Sequence, residues 1–194
     1  MKRFKINRLI KKLKSFQQAR IHNQPSEQAL KVEIDGYYKL AAIYIGLHGS
    51  KKFPFAREMV QECYRKASEL EDANAAYILG KDLLEEAKFR DDLQKNGVFA
   101  GPINGHAVVR LFGEAHAYLQ VAEKHQHVEA KRLEGLSYIN GWGVEADKKH
   151  GFDLIVASIE QENSWDRVPQ IFAALGLNKT EFFSELAQYR NNKG

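Results

Sequence analysis

Four histidines, His106, His116, His125 and His127, share one stretch of the chain with Glu114, Glu123 and Glu129. These are residue types that ligate zinc and related cations. Their spacing argues against a common ion. On one helix His116 and His125 stand nine positions apart, about 900° of rotation, and so face opposite ways. His125 and His127 straddle a turn and read as solvated, so no metal site is expected. Cys63 is the single cysteine, which excludes an intramolecular disulfide framework and a cysteine-rich zinc site and points to a reducing compartment. It reads as core filler. No Gly-rich phosphate loop ends in Gly-Lys-Ser or Gly-Lys-Thr, no His-Glu-x-x-His occurs, and no strand pattern precedes a glycine cluster. The expectation is no cofactor and no enzymatic activity. Trp142, between two glycines, is the most interesting exposed candidate for partner contact, with packing on its own helix pair as the alternative.

Charge is unevenly distributed. Through Lys31 the chain carries nine lysines and arginines against Glu27 alone, a local excess of +8 in a chain whose formal net charge is +4. Lys5, Arg8, Lys11, Lys12 and Lys14 form the body of this basic arm, and Ile6, Leu9, Ile10, Leu13 and Phe16 recur on one face of the same helix. An anionic membrane surface is one partner such an arm suits. Nucleic acid suits it less, because only Phe4 and Phe16 could stack a base. The bland reading is a capping helix with a solvated positive rim. No apolar run approaches the ~20 residues that span a bilayer, and the expected location is cytoplasmic, with a membrane-peripheral position as the alternative.

The elements that must hold these residues are helices. Apolar residues follow the helical period in nearly every segment, without the alternation of strands. After the arm, Pro25-Ser26 restarts a helix bearing Leu30, Ile34, Tyr37, Tyr38, Ala41, Tyr44 and Ile45. Pro54 suits the first turn of the next, which runs to about Leu70, and Asp72 caps a helix from Ala73 to about Phe89. Asn96-Gly97, Gly101-Pro102 and Asn104-Gly105 predict a long loop. Further helices are predicted over Gly105–His125, Val128–Asn140, Lys148–Gln161, Ser164–Leu175 and Thr180–Asn191.

Internal similarity adds to this. Ala130, Gly135 and Tyr138 are followed by Gly141-Trp142-Gly143-Val144 and Asp147. A small residue at Gly135 lets two helices approach, Tyr138 fills the wedge between them, the two glycines permit positive φ, and Asp147 can cap the following helix. Ala75, Tyr77, Leu79 and Gly80 occupy matching places, and Leu40, Ala41 and Tyr44 mark a degenerate first copy. This pattern resembles the Sel-one-like repeats, relatives of the tetratricopeptide repeats. Ala75 and Ala130 lie 55 positions apart, so the middle unit carries about 19 residues beyond a repeat. The cysteine-rich branch of that family pairs cysteines within repeats, which Cys63 alone cannot do.

The resemblance implies an all-α, short right-handed helical-repeat solenoid of about three helix pairs with capping helices at both ends. Segments are a basic helix at 1–24, repeats at 25–163 with an insertion loop at about 88–105, and closing helices at 164–194. It also implies a protein or peptide partner held on the first helix of each pair, at Tyr38, Ala42, Tyr77, Lys81, Arg132 and Leu136, with Trp142 beside them. The function expected by this analogy is a bacterial adaptor or scaffold in a signalling, host-interaction or secretion assembly. An accessory protein that meets membrane or nucleic acid through its basic arm is the alternative.

Overall fold

A computed structural model describes residues 2–193, with side chains described through Tyr189. Among the described residues, regular structure is helical throughout: α1 Lys2–His22, α2 Glu27–Ile45, α3 Ala56–Ser68, α4 Ala73–Lys95, α5 Pro102–Lys124, α6 Val128–Asn140, α7 Lys148–Glu162, a 3-10 turn Trp165–Arg167, α8 Val168–Ala174 and α9 Thr180–Lys193. Side-chain caps start several of them. Ser26 Oγ accepts from Ala29 N at 3.2 Å, Asp72 Oδ1 from Ala75 N at 2.7 Å and Asp147 Oδ1 from His150 N at 2.9 Å. His127, expected to be solvated, is also a cap: its Nδ1 accepts from Ala130 N at 3.3 Å.

The predicted loop at 88–105 is mostly helix. α4 continues to Lys95, and α5 begins at Pro102, a first-turn proline behind Gly101. Helical pairs Glu86–Arg90 at 2.9 Å and Asp91–Lys95 at 2.6 Å extend α4, which gives way where Gly97 takes φ +75°. At 23 residues each, α4 and α5 exceed α6 by ten residues and α7 by eight. The extra residues therefore lengthen a hairpin. Asn104-Gly105 misled as a turn signal, because Asn104 Nδ2 spends its hydrogen bonds on Arg90 O at 3.1 Å and Gln94 Oε1 at 3.0 Å across the hairpin.

The chain divides into two compact units within α4, Met1–Leu79 and Gly80–Gly194, a partition different from the three segments expected. In the first, α1 packs on α2 and α2 on α3. Ile6, Leu13, Tyr37, Leu40, Ala41, Tyr44, Cys63 and Ala67 form its core. Gly36 admits α1: a Cβ there would stand 2.8 Å from Leu13 Cδ2. In the second, α5 packs on α6 and α6 on α7, and Ile155, Val156 and Ile159 share a core with Val168, Ile171, Phe172 and Leu186 of the closing helices. Gly135 and Gly151 meet back to back, since a Cβ on Gly135 would lie 2.5 Å from Gly151 O and 2.8 Å from Ile155 Cγ1. Gly80 plays the same part between α4 and α5, against Leu119 and Ala115. Helices that pack on their sequence neighbours through small residues form a helical-repeat arrangement.

Candidate interaction surfaces

The residues expected to line a partner groove divide between the two units, and several serve packing instead. Tyr38 is half-buried; its hydroxyl donates to Asp72 Oδ1 at 2.7 Å and accepts from Asn74 Nδ2 at 3.0 Å, tying α2 to the start of α4. Ala42 is exposed and Tyr77 half-buried in the same unit. In the second unit Lys81 is exposed, at 4.0 Å from Glu85. Arg132 and Leu136 are corrections, because both are buried. Leu136 belongs to the α6–α7 core. Arg132 Nε donates to Ser158 Oγ at 3.0 Å and its Nη2 to Glu162, whose carboxyl this bond holds below the usual range. Its charge is directed into α7. Trp142 is half-buried, stacked on Phe112 with ring centroids 5.9 Å apart and with Lys88 Nζ 5.0 Å above its ring. The Gly-x-Gly turn that presents it has φ +71° at Gly141 and +72° at Gly143, and a Cβ on Gly143 would strike the Phe112 carbonyl.

The arm fares differently. Lys5, Arg8, Lys11, Lys12 and Lys14 are all exposed along α1, while Ile6 and Leu13 are buried under it. Sequence reading missed what pins this helix. Glu33 is buried in α2 at 1% exposure, and Arg20 reaches it with Nη2–Oε1 at 3.2 Å and Nε–Oε2 at 3.1 Å. Tyr37 hydroxyl donates to Glu33 Oε1 at 3.3 Å and accepts from Gln17 Nε2 at 2.8 Å. Beside this network a cleft of about 210 Å³ opens between α1, α2 and α3, floored by Leu13, Leu40, Tyr44 and Cys63 and rimmed by Lys14 and Lys66. It holds no activated nucleophile, since burial pushes the Cys63 thiol up to about 12.

A third surface lies at the tip of the α4–α5 hairpin. Phe89, Val98, Phe99 and Ile103 are exposed at 64%, 60%, 64% and 86%. The tip is nonetheless tied together, because Gln94 Oε1 accepts from both Asn104 Nδ2 and Gly101 N, the latter at 3.4 Å. Neighbouring charges are paired within their own helices: Arg90 with Glu86, Lys95 with Asp91, and Arg110 with Glu114 at 2.7 Å.

No family model matches the chain, and no curated protein matches it. Among solved structures it is similar to a protective antigen present in uropathogenic Escherichia coli strains displaying an SLR fold. The two share 18% sequence identity and a TM-score of 0.25 over 91% of this chain and 46% of that one, so this chain spans less than half the other's length. The described chain itself is an all-α helical-repeat fold.

In the second unit of this fold two buried titratable groups each have a polar atom without a hydrogen-bond partner. Glu134 on α6 is 5% exposed with Oε2 lacking a hydrogen-bond partner. Burial first, then the charge of Glu123, pushes its carboxyl up to about 7. His116 on α5 lies edge-on to Tyr138 at 5.3 Å with Nδ1 unpartnered, and burial holds its imidazole below the ordinary value. Tyr138 in turn meets His150 at 4.5 Å, filling the wedge as expected. Among the described residues, no three His, Cys, Asp or Glu side chains gather where one ion could be held. No helix among them is long and apolar enough to cross a membrane.

Proposed function

We propose that this chain is a non-enzymatic interaction module that holds a protein partner through the apolar tip of its long hairpin. The observation that carries this reading is Phe89, Val98, Phe99 and Ile103 standing in solvent on a tip fixed by Gln94 and Asn104. Exposed apolar side chains cost solubility, and a cluster of them is a mark of a contact surface. A tip that is already ordered loses little conformational freedom on binding. With Arg90, Lys95 and Arg110 paired within their own helices, the tip meets its partner chiefly through apolar burial, worth ~1.5–3 kcal/mol for each large side chain fully covered. Aromatic residues such as Phe99 are enriched in protein–protein interfaces.

The test compares the whole chain with a Phe99→Ser, Ile103→Ser variant in affinity purification from the native cell, read by quantitative mass spectrometry. The reading expects one or more proteins recovered with the parent and lost with the variant, while the far-UV dichroism stays the same. Equal recovery with both chains would rule out the tip as the contact.

A further inference from the structure

We infer that the outward face of α1 docks on an anionic lipid bilayer, meeting lipid headgroups through cations and Phe4 while its apolar stripe stays on α2. The stripe that an interfacial helix would ordinarily insert is taken: Ile6 and Leu13 are buried, Leu13 rests on Gly36, and Arg20 is held by Glu33. What is left to solvent is the opposite arc. α1 contains no acidic residue, and among the described residues Lys5, Arg8, Lys11 and Lys14 have no acidic partner. Arg3 and Lys12 lie over rings of their own unit, 5.7 Å from the centroids of Phe53 and Phe16 respectively.

Helix geometry gathers the free cations around one aromatic. At ~100° per residue Lys11 stands about 20° to one side of Phe4 and Arg8 about 40° to the other, with Lys14 and Lys5 on the two flanks. Phe4 is 72% exposed. A convex row of long basic side chains about an exposed ring matches a planar array of anionic headgroups, which the lysines can reach at once while the ring enters the interface. A single-stranded nucleic acid would call for several rings interleaved with the charges to stack bases. Phe4 alone supplies one on this arc, since Phe16 is half-buried beneath Lys12.

The experiment is co-sedimentation of the full chain with vesicles of phosphatidylcholine alone and of phosphatidylcholine mixed with phosphatidylglycerol. The parent is expected to sediment with the anionic vesicles at low salt, to stay in solution with the neutral ones, and to be released by high salt. Four substitutions, Lys5→Gln, Arg8→Gln, Lys11→Gln and Lys14→Gln, should weaken partition by roughly 10²–10³-fold, from about a factor of five for each cation. Phe4→Ala should weaken it by about tenfold. All five positions are exposed, so an unchanged thermal melt certifies the fold, and the parent's salt titration tests the idea without any variant. Three outcomes overturn it: no sedimentation with anionic vesicles at low salt, equal partition of the parent and the four-Gln variant, or removal of the protein from vesicles by an oligonucleotide at matched phosphate concentration.

Discussion

Gly135 and Gly151 set how closely α6 and α7 approach, and neither leaves room for a methyl group. Gly135→Ala should therefore destabilise the chain by about 1–3 kcal/mol, as overpacking does. A urea unfolding midpoint that fell by less than the error of the measurement would deny the close crossing. Glu134 gives a second test. Its folded pKa is raised above its unfolded value, so the stability it contributes is present below about 4.5 and is lost as pH rises towards about 7. Glu134→Gln should leave stability near pH 4 unchanged and raise it near pH 8 by on the order of 2 kcal/mol. Melting curves at the two pH values check this, and equal gains at both would contradict it. Gly135, Tyr138 and the capping Asp72 and Asp147 were legible because each belongs to a local pattern. Arg132 was not: Ser158 and Glu162, which turn it inward, lie 26 and 30 residues further along the chain.

Among the elements, α1 depends on one buried carboxylate. Arg20→Ala would leave Glu33, buried on α2, without its cation, and among the described residues Tyr37 is its remaining side-chain donor. Because Arg20 is itself 31% exposed, the loss should be about 2 kcal/mol, less than for a wholly buried pair. Amide hydrogen exchange should rise across α1 before it rises in α2 and α3, and uniform exchange would show that α1 is not held separately. The amphipathic pattern of this helix was readable, but its clamp was not: Glu33 shares the face of Leu30, Tyr37, Leu40 and Tyr44, where a carboxylate reads as an interruption until Arg20, thirteen residues earlier, is seen to pair with it. The α4–α5 hairpin shows the reverse error. Asn-Gly and Gly-Pro dipeptides announce turns, yet only Gly97 takes a left-handed backbone there, and Asn104 is helical because its amide bonds across to α4. Replacing it with Ala should cost about 1 kcal/mol and loosen the tip, visible as faster exchange at Val98 and Phe99 with the remaining helices unchanged.

For the molecule as a whole, the all-α class and neighbour-on-neighbour packing followed from periodicity and from small residues at matched spacing. The division within α4 did not, because a helix that continues across two compact units leaves no break in its sequence. Catalytic motifs are local patterns that can be looked for in a sequence, whereas contact surfaces depend on which apolar residues remain uncovered after folding, and periodicity alone cannot decide that. Phe89, Val98, Phe99 and Ile103 became a surface only once the predicted loop proved to be the end of a hairpin. The claim that this chain works by contact at that end is tested most directly by placing a photo-crosslinking phenylalanine analogue at position 99 in the native cell, with a second chain carrying it at the exposed position 42. The account predicts a discrete protein adduct from position 99 that Ile103→Ser abolishes, and none of the same mass from position 42. Absence of an adduct at 99, or the same adduct from both positions, would contradict it.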